Sequence, residues 1–133
     1  YDSMTKIMNE YNCEKCKETV DAKERTILSA LSPTLIIQLL RFENTGNKIT
    51  KNILIPFKLS LDKFSYKLKD QVYELKSICC HISNNHIFGH YISINKKNNE
   101  WFLIDDNSIN LIKKEDVKNI ILNNAYILFY DKI

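Results

Sequence analysis

The stretch from His90 to Asp105 constrains this chain most. Ile92 and Ile94, then Trp101 and Leu103, alternate with other residues on either side of Lys96-Lys97-Asn98-Asn99. Period-two alternation around a short polar segment is the pattern of a β-hairpin with one apolar face. A turn centred on Lys97-Asn98 would set Ile94 opposite Trp101, Ile92 opposite Leu103 and His90 opposite Asp105. Directly opposed residues have Cβ atoms about 4.5–5.5 Å apart and share a face of the sheet. A buried carboxylate beside an imidazole would then fix the ring tautomer and favour the imidazolium. That is what a thiol nucleophile needs of its base. A structural hydrogen bond between the two is the plainer reading, and a one-residue slip would separate them altogether. Gly89, one of two glycines in the chain, would allow a positive φ or a close backbone approach to a ligand just before the histidine.

The rest of the chain reads as α+β, mostly antiparallel sheet with helices at the ends. Met4, Ile7, Met8 and Tyr11 fall at helical spacing, with Asp2 or Ser3 as N-cap. Val20 to Leu31 reads as exposed and extended. Pro33 introduces Leu35 to Phe42, an almost continuous apolar run suited to a strand buried on both faces. Asn44, Gly46 and Asn47 mark a turn. Ile49 to Phe57 reads as a further β-run ended by Pro56, Ser60 to Gln71 as loop, Val72 to Ile82 as strand and Ser83 to Phe88 as loop. A short helix over Glu115 to Leu122 would bury Val117, Ile120 and Ile121, and Ala125 to Tyr130 would close the sheet. No internal repeat or linker divides the chain.

Composition limits the function classes. A length of 133 residues with 44% hydrophobic content fits one globular domain. The net charge of +3 comes without a basic–aromatic cluster, so direct nucleic-acid binding is not expected. Apolar runs such as Thr34 to Leu40 fall far short of the roughly 20 residues that span a bilayer, so no membrane partner is expected. The chain opens on Tyr1 without a signal peptide, and its front is expected to have been removed or to lie elsewhere. Cys13 and Cys16 form a tight pair; Cys79 and Cys80 are adjacent on a strand and point to opposite faces. That is a poor disulfide framework and fits an intracellular protein with reduced thiols, in cytoplasm or nucleus. Cys13-Glu14-Lys15-Cys16 has the spacing of half a zinc site, with a redox pair as the other reading; no βαβ pattern surrounds it.

Gly89-His90-Tyr91-Ile92-Ser93-Ile94 and Trp101-Phe102-Leu103-Ile104-Asp105-Asp106 together resemble the histidine-bearing half of a ubiquitin-specific protease. The resemblance continues in order through Tyr11-Asn12-Cys13-Glu14-Lys15-Cys16, Pro33 to Phe42, Ile55-Pro56-Phe57, Tyr73-Glu74-Leu75 and Ala125 to Tyr130. It implies a papain-like cysteine peptidase fold, with residues 32–133 as the antiparallel palm. Residues 1–31 would form the base of a zinc-finger-like extension. His90 would be the general base, Asp105 its orienting partner and Asp106 a neighbouring acid. Gly89 and Tyr91 would line the channel for the C-terminal glycines of ubiquitin. His81 and His86 would flank a loop from Ile82 to Phe88 that closes over that tail, with His86 contacting substrate; a solvent-exposed loop histidine is the plainer reading of His86. Cys13 and Cys16 would supply two ligands to a structural Zn²⁺. The nucleophilic cysteine is expected upstream, in the other half of the same catalytic domain, leaving this chain inert alone. The partners implied are ubiquitin and ubiquitinated proteins. The alternative is a catalytically dead scaffold of the same fold in an RNA-processing complex.

Overall fold

The computed structural model describes residues 5–65, 69–83 and 89–133. Among them the chain forms nine strands and one helix, and it divides into two compact units.

The first unit draws on residues 1–31 and 61–71. Strands β1 (Thr5–Asn12) and β2 (Thr19–Arg25) form an antiparallel hairpin, where helical spacing had suggested a helix over Met4 to Tyr11. The chain reverses tightly beyond Asn12: the Cys13 amide donates to the Glu18 carbonyl at 2.9 Å and the Lys17 amide to the Cys13 carbonyl at 2.8 Å. That reversal delivers a second strand, whose ladder satisfies the backbone that a helix would have satisfied internally. A bulge between Met8 and Tyr11, with Glu10 at φ 56°, breaks the register. Ile7 stays exposed, so the apolar spacing found no core to bury in. The remainder of this unit is tied by Leu28 donating to Phe64 at 2.8 Å, Arg25 to Lys63 at 2.7 Å and the Gln71 amide to Asp62 at 2.7 Å.

The second unit draws on residues 32–60 and 72–133. Its strands are β3 (Thr34–Gln38), β4 (Lys58–Ser60), β5 (Val72–Ile82), β6 (His90–Lys97), β7 (Glu100–Asp105), β8 (Ser108–Ile112) and β9 (Ala125–Lys132). They form one antiparallel sheet in the order β3-β9-β5-β6-β7-β8, with β4 paired to the start of β5. Helix α1 (Lys114–Asn124) buries Val117 and Ile121 and contacts β5 and β9, while Ile120 is only half-buried. Glu115 and Asp116 in its first turn complement the helix dipole. The strands of this unit also bury Leu75, Ile78, Cys80, Ile94, Trp101 and Leu128. No helix among the described residues is long and apolar enough to cross a membrane.

Two apolar runs behave differently from their sequence reading. The run from Leu35 forms only the five-residue edge strand β3, with β9 on one side; Ile36 is 62% and Leu40 86% exposed. Ile49 to Phe57 makes no strand. Its backbone groups bond elsewhere: the Ile53 amide donates to Leu122 at 2.8 Å, and the carbonyls of Ile49 and Lys51 each accept from the Arg41 guanidinium at 3.0 Å.

Arg41 is 1% exposed and also donates to the carbonyls of Ala125 at 2.6 Å and Leu122 at 3.3 Å. The last carbonyls of any helix lack intrahelical partners, and α1 carries no basic residue in its last turn. The cation that caps it therefore comes from far away in sequence. Arg41→Met should take the guanidinium away from these acceptors, of which Leu122 keeps the Ile53 amide, and lower stability by about 3–5 kcal/mol. Denaturant unfolding checks this; a midpoint equal to the parent's would show that the network contributes nothing.

Candidate functional site

The β6–β7 hairpin turns on Asn98 and Asn99, at φ 50° and 67°, so Lys97 pairs with Glu100 and Ile94 with Leu103. The expected turn on Lys97-Asn98 is thus displaced by one residue. A two-residue turn of this hand needs φ > 0 at both central positions, which asparagine tolerates far better than lysine. Every cross-strand partner moves by two as a result, and Ile94 does not face Trp101. An even displacement keeps each side chain on its face. His90 and Asp105 therefore remain on the same face, as diagonal neighbours.

They meet through His90 Nε2 and Asp105 Oδ1. Asp106 follows in the turn between β7 and β8, at φ 47°. One ligand atom from each of His90, Asp105 and Asp106 lies within 4.8 Å of the others. The expected buried carboxylate is corrected: both side chains of the pair are 47% exposed, because the β6–β7 ladder begins only at Ser93↔Ile104 and leaves this end open. The hydrogen bond with Asp105 chiefly raises the His90 pKa; desolvation opposes it, and the charges of Asp105 and Asp106 add to it. With Nε2 held by the carboxylate, Nδ1 is the nitrogen left for a reacting group.

The other expected residues are placed as follows. Gly89 precedes β6 without a positive φ; the conformational reason expected for it does not apply. Space explains it: a Cβ there would sit 1.9 Å from His81 Nε2. Tyr91 is 52% exposed, with its ring 4.8 Å from that of His81. His86 and most of the Ile82 to Phe88 loop lie outside the described residues. Cys13 and Cys16 sit in the turn between β1 and β2. Hydrogen bonds from the Cys16 and Lys15 amides, then from the Cys16 side chain, lower the Cys13 pKa. Burial raises that of Cys79 and pushes Cys80 up to about 12, so both stay neutral thiols and poor nucleophiles. A cavity of about 590 Å³ opens by Phe57, Lys96 and Trp101, at the far end of the hairpin from His90. The pair itself stands on an open surface.

Fold and site define an antiparallel α+β chain that presents an exposed His–carboxylate pair at one end of its sheet. Residues 4–130 match the ubiquitin carboxyl-terminal hydrolase family, and the chain belongs to it. It is 34% identical over 125 residues to the probable ubiquitin carboxyl-terminal hydrolase 8 of Schizosaccharomyces pombe, covering 91% of this chain and 26% of that protein. It is 34% identical over 127 residues to ubiquitin carboxyl-terminal hydrolase 36 of Drosophila ananassae, covering 91% and 11%. Among solved structures, it resembles a chain of the SAGA Ubp8/Sgf11/Sus1/Sgf73 DUB module bound to ubiquitin aldehyde. There the TM-score is 0.81 at 30% identity, over 99% of this chain and 32% of that one. A SAGA DUB module bound to monoubiquitin gives 0.82 at 31%, over 99% and 31%. The chain thus spans a third or less of these relatives.

The pair makes a prediction of definite sign. Asp105→Asn removes the charge that favours the imidazolium, so the His90 midpoint, followed by NMR, should move down towards the ordinary histidine value. A midpoint unmoved by the substitution would deny the coupling. The raised pKa also means that the pair stabilises the fold fully below the unfolded-state value and loses that contribution as pH rises through the folded one. Exposure to solvent keeps the contribution small.

Proposed function

We propose that this chain is the base-bearing C-terminal part of a thiol-dependent deubiquitinase with a papain-like catalytic domain, its nucleophilic cysteine lying in an upstream half. One observation carries this reading: Asp105 occupies Nε2 of an imidazole whose protonated form it favours, which frees Nδ1 to face a thiol. The relatives support ubiquitin as the partner, since solved family structures hold monoubiquitin or ubiquitin aldehyde.

In the reaction, Nδ1 of His90 takes the thiol proton, and the thiolate attacks the carbonyl carbon of ubiquitin's last glycine. The imidazolium returns the proton to the leaving lysine amine as the isopeptide bond breaks. His90 then removes a proton from water, which attacks the thioester and releases the carboxylate and the thiol. Asp105 holds the ring in its tautomer throughout, and Asp106 adds negative charge beside it. Gly89 and Tyr91 would line the passage for the tail. The proposed setting is intracellular and reducing, where a catalytic thiol would stay reduced.

The test uses the complete protein and ubiquitin bearing a C-terminal thiol-reactive warhead. His90→Ala should slow adduct formation by about 10²–10⁴-fold and Asp105→Asn by less. An adduct that forms at the parent rate in His90→Ala removes this histidine from the chemistry.

The Cys13 and Cys16 pair fits half of a structural zinc site. The two amides that lower the Cys13 pKa favour the thiolate, which is the ligand form. Among the described residues, no third histidine, cysteine or carboxylate joins them. Bound zinc would cross-link this hairpin to two further ligands elsewhere in the complete protein and take no part in the reaction. Substituting either cysteine by serine should reduce the zinc content of the complete protein, measured by elemental analysis; unchanged content refutes the assignment.

A further inference from the structure

His90 is attached to the sheet on one side only. The β6–β7 ladder begins at Ser93, whereas β5 holds the start of β6 through Ile82↔His90, His81↔Tyr91 and Cys80↔Ile92. Behind that start stands His81. It is 1% exposed, packed edge-on against Phe42 at 5.2 Å and tilted against Tyr91 at 4.8 Å. Its carbonyl accepts from the buried Lys48 ammonium, which also donates to Asn124 at 3.2 Å. Its Nδ1 is buried with no hydrogen-bond partner among the described residues, so at that atom it is packing that holds the ring. Nε2, Cε1 and Cδ2 all lie within 3 Å of where a Cβ on Gly89 would stand. Phe42 and Tyr91 thus limit the room the ring has to move away from Gly89.

We propose that His81 is a positioning residue for His90: its buried ring, wedged against Gly89 and Tyr91, sets where β6 begins and so where the base stands relative to Asp105. The inference rests on the reading of His90 as the base. The two histidines have opposite environments. Burial, and then the charge of Lys48, lower the pKa of His81, so it stays a neutral spacer; Asp105 drives His90 the other way.

The experiment uses the complete protein and ubiquitin with a C-terminal fluorogenic leaving group. His81→Asn trims the far edge of the ring. It should lower kcat by about tenfold or more with little change in KM, since a base displaced by an ångström or so loses rate of this order. By NMR, the His90 midpoint should fall in the same variant, a readout that mere loss of stability would not move. Gly89→Ala alone should lose about 10²-fold. Adding it to His81→Asn should do less harm than in the parent, because the methyl enters the vacated space. Full kcat with an unmoved His90 midpoint in His81→Asn, or additive losses in the double variant, would overturn the proposal. If His81→Asn does not fold, His81→Gln, which keeps the reach but can bend, replaces it under the same criteria. If the parent cleaves nothing, the reading of the base fails instead. The His90 midpoint then decides alone: a fall in His81→Asn upholds the positioning role, and no change ends it.

Discussion

The second unit depends on the burial of one guanidinium. Arg41 spends its donors on four carbonyls drawn from the 49–51 segment and from the junction of α1 with β9. A charge withdrawn from water to this degree is tolerable only when its hydrogen bonds are made in place. The requirement fixes the segment that follows. Phe42 is set against His81, and Lys48 reaches the His81 carbonyl and Asn124. From there the constraint passes to Gly89 and the start of β6. Two buried cations at the C-terminal end of a helix thus stabilise the helix dipole and also brace the wall behind the candidate base.

Much of the fold was legible in the sequence. Val72 to Ile82 is a strand with the bounds expected of it, and the helix over 115–122 and the closing strand stand where their apolar periods put them. The failures share a cause. Met4 to Tyr11 and Leu35 to Phe42 carry apolar patterns whose meaning depends on what covers them, and a local pattern does not say. Ile49 to Phe57 looks β-rich, but its carbonyls serve an arginine side chain. Strands β4 and β8 were missed because one is three residues long and the other is an edge whose Ile109 and Leu111 face outward.

The candidate site was legible through parity rather than register. The alternation placed His90 and Asp105 on one face, and that survived an error in the turn, because the error was even. Exposure was misjudged, since sequence does not reveal where a ladder stops. The reason for Gly89 was hidden as well. Its neighbour is a side chain eight positions earlier on another strand, and only the His81↔Tyr91 pairing brings them together.

The asparagine turn at residues 98 and 99 also constrains how this segment can change length over time. Loss of a single residue from β6 between His90 and the turn would rotate the histidine to the far side of the sheet, away from its acid. Loss of two would return it to the near side, in a shorter hairpin. Insertions and deletions in these strands are therefore filtered by whether they are even or odd, before any question of which residue is gained or lost.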